Sequence, residues 1–363
     1  MSSNRQSRTV HPHGVFYSLL SLLALILVLI LPLIPYAVAE RADTAAKVVN
    51  PGAELWRDVR QLDRSVTGTT QVKGVETGIL INVSGEAWRN YRMEQLAPLG
   101  AIVLGAMVGI FVIYYLVRGK IRIHEGRSGE LVRRYTTTEM TVHWVMAITF
   151  VTLALSGLIL LYGRWLLIPL LGPSGFSVTA AACKLLHNYV GLLFAAIIPV
   201  AFFLYMKDSL FNLKVDGQWF RRAGGYFGGE EPSSEKVNAG QKMWYWVAML
   251  GGFVLIVSGL FLDFPNLLLQ GREWLQGAHV IHTLAAIGVT AFFIVHLYLA
   301  TVGVEGALES MVNGHVDANW AKQHHDLWYK ELQAGGQGTS APKQPSVTGG
   351  TPAGGVASPV MKD

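Results

Sequence analysis

Five histidines lie in long apolar runs of this chain, and four of them, His143, His187, His282 and His296, fall at depths that can pair. Imidazole inside a bilayer is costly, and as a rule it is there for function. His282 and His296 share one run, residues 278–302, and stand 296 − 282 = 14 positions apart. In a helix, 14 residues rise about 21 Å, and 14 steps of ~100° return the side chain to nearly the same face. One helix thus offers an imidazole near each leaflet, both aimed one way. His143 opens the run 141–161, and His187 lies near the start of the run 181–206. With alternate runs crossing in opposite directions, His143 shares the depth of His296, and His187 that of His282. Two imidazoles from two helices can occupy both axial positions of an iron porphyrin. Such an iron has no open position for oxygen and suits electron transfer. The pattern therefore predicts two bis-histidine haem b groups stacked across a membrane.

Other chemistries fit less well. A metal cluster wants its ligands gathered at one depth. A proton relay wants Asp or Glu along the helices, and these four-histidine runs contain neither. Simple helix–helix hydrogen bonding would not require matched depths. His279, three residues before His282, reads as interfacial. His124, His315, His324 and His325 fall outside the runs, and His11 and His13 precede them all; none of these is expected to be a ligand.

The elements that must hold the four rings follow from composition. Of 363 residues, 51% are hydrophobic and only 15% charged, with a mean hydropathy of +0.36. Those proportions belong to a helical membrane protein. One cysteine, Cys183, excludes an internal disulfide, an iron–sulfur site or a thioether-linked haem. The net charge of +5 reads as loop bias for membrane orientation, since the basic residues flank apolar runs. It does not read as a nucleic-acid surface.

In chain order, residues 1–39 are expected to be a secretory signal or an uncleaved anchor, with Ala37-Val38-Ala39 as a cleavage motif. Residues 40–95 read as a small exported segment of short strands or irregular structure, a docking or capping element without chemistry of its own. The run 96–117 is an additional span expected only to anchor. Arg118, Lys120, Arg122, Arg127, Arg133 and Arg134 follow it and mark a cytoplasmic loop. The spans 141–161, 181–206, 243–262 and 278–302 complete a core assigned to 121–304, with an exported Gly/Pro-containing loop at 162–180. Residues 305–333 form a cytoplasmic amphipathic end, and 334–363, rich in Gly, Ser, Thr and Pro, a disordered tail. Two spans repeat a phrase, LALSGLILL around Ser156-Gly157 and LIVSGLFLD around Ser258-Gly259. Either these glycines let helices pack closely, or they let a flat macrocycle approach.

The motifs resemble a known family, the gamma subunit (a diheme cytochrome b) of membrane-bound respiratory formate dehydrogenase. The matching phrases are His143-Trp144, LHNYVG at 186–191, VNAGQKMWYW at 237–246, the His282/His296 pair and WAKQHHDLWYKE at 320–331. The resemblance covers roughly 133–331 and implies an all-α membrane protein. Its core would be a four-helix transmembrane diheme cytochrome b, here with an extra N-terminal transmembrane helix, a signal or anchor segment and a small exported segment. It implies that His143 and His296 ligate the cytoplasmic-side haem, and His187 and His282 the exported-side one. It further implies that quinone, menaquinone or ubiquinone, binds near Asn238, Gly240 and His296. The partners implied are an iron–sulfur beta subunit and a molybdenum or tungsten catalytic alpha subunit, in a bacterial inner membrane. Formate chemistry would then lie outside this chain. The cytochrome b of a membrane-bound hydrogenase or thiosulfate reductase uses a similar scaffold, and a haem-free membrane anchor is the remaining alternative.

Overall fold

The computed structural model describes residues 66–67, 71, 79–81, 83–228, 230–265 and 271–335. The expected signal or anchor, most of the exported segment and the tail beyond 335 lie outside the described residues.

Among the described residues, four helices are long and apolar enough to cross a membrane: Gly85–Arg118, Thr137–Ser209, Ala239–Asp263 and Arg272–Gly303. Two short strands, β1 (Val66–Thr67) and β2 (Ile79–Ile81), pair antiparallel ahead of them. Helix α1 (Val83–Asn90) then runs through a π-helical turn, Tyr91–Leu96, into α2 (Ala97–Arg118). Pro98 stands in the first turn of α2; without an N–H it cannot close the α-helical bond back into 91–96, so the wider turn falls there. Short strands or irregular structure are expected up to residue 95; instead helix begins at Val83. The reason is the run of helix-compatible residues that feeds without a break into the span.

Helix α3 (Thr137–Met206) is 70 residues long. Straight, it would measure about 105 Å, several times a bilayer. Gly172 breaks it, with φ 71 and ψ 173, a conformation open to glycine, and Pro173 follows. The chain doubles back there, so Gly157 lies against His187 and Phe150 against Phe194. The exported loop expected at 162–180 is therefore corrected: the segment is helical except at Gly172. Apolar residues on both sides favour helix, whose internal hydrogen bonds satisfy the backbone.

A capping box fixes the start of α3. The Thr136 hydroxyl accepts from Glu139 N at 3.2 Å, and the Glu139 carboxylate accepts from Thr136 N at 2.6 Å. After the short amphipathic α4 (Leu213–Arg221) come α5 (Ala239–Asp263) and α6 (Arg272–Tyr298). Val142, Phe194, Ile198, Ala201, Tyr245 and Met249 form the core joining both arms of α3 to α5. Helix α2 is joined to the bundle by the Tyr162 hydroxyl, which donates to Ala97 O at 2.8 Å, and by Gly100 facing Tyr162 and Ile287. Phe203, Phe253, Leu193 and Ile148 point outward, as a bundle solvated by lipid requires.

Past α6 the chain forms a cap. Helix α7 (Glu309–Val312) leads to β4 (His315–Asp317), which pairs antiparallel with β3 (Leu131–Arg133). Helices α8 (Ala318–His324) and α9 (Asp326–Ala334) close over Ile123, Val132, Val316, Trp320 and Trp328.

Candidate functional site

His187, on the second arm of α3, faces His282 on α6, with ring centroids 6.2 Å apart. His143, on the first arm, faces His296 on α6 at 6.4 Å. Two imidazole nitrogens, each about 2.0 Å from one metal, lie ~4 Å apart and set the ring centres roughly 6 Å apart. Both couples have the spacing that a shared metal requires.

The serines of the repeated phrase orient the first couple. The Ser156 hydroxyl donates to Thr152 O at 2.7 Å, so it accepts from His187 Nδ1 at 2.9 Å. The Ser258 hydroxyl donates to Val254 O at 2.6 Å and accepts from His282 Nδ1 at 3.0 Å. Each ring therefore carries its proton on Nδ1 and keeps a bare Nε2, the arrangement that metal-binding histidines share. A Cβ on Gly157 would sit 3.2 Å from His187 Cε1, and one on Gly259 would sit 3.4 Å from His282 Cε1. These glycines admit the neighbouring helix's imidazole, and they also line the cavity beside it. That cavity, about 450 Å³, is bounded by His187, His282, Gly191 and Ala286, with Arg92 and Lys184 among its lining residues. Apolar walls with imidazoles and a few polar groups fit a porphyrin.

The second couple is held differently. The His296 ring stacks on Trp244 of α5 at 5.2 Å, with planes 16° apart. Trp144, beside His143, donates its indole N–H to Met311 O at 2.7 Å. His143 Nδ1 is buried with no hydrogen-bond partner among the described residues, unlike the serine-held rings. A buried ring nitrogen left free by the chain fits an imidazole that serves a group from outside it.

Asn238 and Gly240 open α5. The Asn238 side chain accepts from Gln241 N at 2.9 Å, and Gln241 Oε1 accepts from Asn238 N at 3.1 Å, so Asn238 is a helix cap. Gly240 lies under Trp219, whose ring a Cβ would meet at 2.7 Å. Trp244 follows Asn238 by six residues, about 9 Å along the helix, and carries the start of α5 toward His296. A buried charge cluster pins this end. Lys242, wholly buried, donates to Asp216 at 2.9 Å and to Glu235 at 2.7 Å. Arg134 reaches Lys236 O at 2.7 Å and His325 Nε2 at 3.0 Å. His325 donates from Nδ1 to Glu235 O at 2.6 Å. Burial pushes the His325 imidazole well below its ordinary pKa, and the Arg134 guanidinium pushes it further, so the ring is neutral.

The structure brings His143 to His296 and His187 to His282. Sequence reasoning missed Ser156, Ser258, Trp244 and Arg92. The doubled Ser-Gly phrase was the available signal for the serines, whereas Arg92 lies in a segment read as carrying no chemistry. His279, expected at the interface, also lines the cavity, edge-on to Trp88 at 5.4 Å.

Residues 134–314 match the family model described as prokaryotic cytochrome b561. The chain is 31% identical over 208 residues to the formate dehydrogenase cytochrome b556(fdo) subunit of Escherichia coli strain K12, covering 56% of this chain and 94% of the relative. It is 28% identical over 214 residues to the nitrate-inducible formate dehydrogenase cytochrome b556(Fdn) subunit of the same strain, 57% of this chain and 94% of the relative. The formate dehydrogenase cytochrome b556 subunit of Haemophilus influenzae is 28% identical over 213 residues, 54% of this chain and 82% of the relative.

Proposed function

This chain belongs to the cytochrome b subunits of formate dehydrogenases, and from that premise we propose that it is the membrane conduit of such a complex. It takes electrons from an iron–sulfur subunit on the exported face and delivers them to a quinone near the cytoplasmic face. The observation that carries the reading is the pair of imidazole couples at 6.2 and 6.4 Å, with α6 giving one ring to each. His187 and His282 would hold one haem b, and His143 and His296 the other. When bound, haem b supplies a one-electron couple, and two axial imidazoles suit it to electron transfer.

The chain's own residues do the rest. Ser156 and Ser258 fix the tautomers of His187 and His282. Trp244 holds the His296 plane. Asn238 uses its carbonyl oxygen as a cap and keeps its amide N–H₂ for a quinone carbonyl, with Gly240 and His296 completing that site. The outward apolar side chains keep water from the path. Residues 1–39 deliver the chain to the bacterial inner membrane, 121–304 form the haem core, and the molybdenum or tungsten partner performs formate oxidation. An electron driven inward against the membrane potential costs about 2.3 kcal/mol per 100 mV, which the drop from formate to quinone must cover.

Pyridine haemochrome measurement on the purified subunit tests the count: two haems b per chain are expected, falling to one in His282→Ala and one in His143→Ala. One haem in the native chain, or two retained in either variant, sinks the pairing. Co-purification with a nickel subunit in place of a molybdenum or tungsten one would transfer the conduit to a hydrogenase.

A further inference from the structure

The cavity beside His187 and His282 is not built from the family's own helices alone. Arg92 and Leu104 line it as well. Both come from the π-helical turn and α2, ahead of the matched residues 134–314. π-Helical turns inside α-helices recur at functional sites, and this one carries an arginine into a cavity wall. Arg92 Nε is buried with no hydrogen-bond partner among the described residues. Trp88 Nε1 and His279 Nδ1 are in the same state. The three side chains touch: the Arg92 guanidinium lies 5.9 Å from the Trp88 ring centre, and Trp88 meets His279 edge-on. Lys184 stands at the same rim, donating to Asn188 Oδ1 at 2.9 Å and lying 3.5 Å from Asp263. The rim thus gathers cations and N–H donors, with Asp263 the one carboxylate among the cavity's described lining residues.

Buried donors that find no acceptor in the chain are costly to keep, and a half-buried guanidinium seeks a carboxylate in forked geometry. Haem b carries two propionate carboxylates along one edge. We propose that Arg92, with Trp88 and His279 beside it, binds the propionates of the haem held by His187 and His282, so that the N-terminal helix completes that site. The proposal rests on the bis-histidine reading above. It gives the segment before α2 a part in the chemistry, and it makes the exported-side haem's potential depend on a residue outside the family segment. A cation beside the porphyrin stabilises the form holding one more electron and so raises the reduction potential.

The test is an optical redox titration of the purified complex carrying Arg92→Gln, Arg92→Lys or Trp88→Phe. The exported-side component is identified as the one that His282→Ala removes. In Arg92→Gln that component is expected to become about tenfold harder to reduce, ~59 mV for one electron, with the other component fixed and both haems present. Arg92→Lys keeps most of the native potential, because the charge remains. Trp88→Phe, which preserves packing and deletes a donor, shifts the same component in the same direction by less. Unchanged potentials in Arg92→Gln, or a shift confined to the component that His143→Ala removes, overturn the proposal. A native protein in which His282→Ala removes no component overturns the bis-histidine reading, a result separable from the first.

Discussion

Ser156 and Ser258 each place one hydroxyl between a carbonyl one turn back and an imidazole from the other arm of α3 or from α6. A hydroxyl has one proton to give; the carbonyl takes it, so the imidazole must supply its own. Ser258→Ala is expected to leave His282 Nδ1–H without an acceptor and to weaken the hold on the exported-side metal by 10–100-fold. Transfer of haem to apomyoglobin measures it: one of two haems should leave faster, and equal rates would remove the serine from the site. His325 carries its proton on Nδ1 as well, and its bare Nε2 accepts from Arg134. Its folded pKa is depressed, so its contribution to stability is present above the unfolded value of ~6.5 and is lost as pH falls below it. Limited proteolysis should therefore cut the cap around His325 faster at pH 5.5 than at 7.5. In His325→Gln that difference should shrink.

Helix α3 depends on one glycine to become two spans, and two more glycines set how near its neighbours come. Gly157→Val is expected to drive the first arm of α3 away from His187, whose ring a Cβ would already meet at 3.2 Å. The exported-side haem should be lost and the other kept, read as one haem per chain. Gly109→Ala, where nothing lies within 4 Å, is the control; it should retain both haems and gain helix propensity. At the start of α5, Lys242→Met leaves Asp216 buried without its cation and takes the same partner from the half-exposed Glu235. Removing one partner of a buried pair costs about 3–5 kcal/mol, so this variant should yield little folded protein. Lys242→Arg, which keeps the charge, should recover part of it.

At the scale of the molecule, α6 carries one ring of each couple, 14 residues or about 21 Å apart along its axis. Electron flow through them should move charge across the bilayer. In sealed vesicles holding the whole complex and quinone, formate should generate a membrane potential, measured with a voltage-sensitive dye. His143→Ala should abolish that potential while leaving formate oxidation by an artificial acceptor intact. A potential that persists in His143→Ala would mean that electrons leave by another route.

The order of spans, the lipid-facing composition and the pairing of His143 with His296 and His187 with His282 were legible in the sequence. Periodicity and depth are local properties, and a helix that must satisfy its own backbone in lipid has few other ways to arrange them. The sharp reversal at Gly172 was not legible, since glycine and proline mark a loop and a tight helical corner alike. Nor were the Ser156 and Ser258 contacts, the stacking of Trp244 on His296, or the approach of Arg92 to the cavity. Each of these joins residues on different helices, and which faces of two helices meet is decided by side-chain packing across the bundle, not by the order of residues along either one.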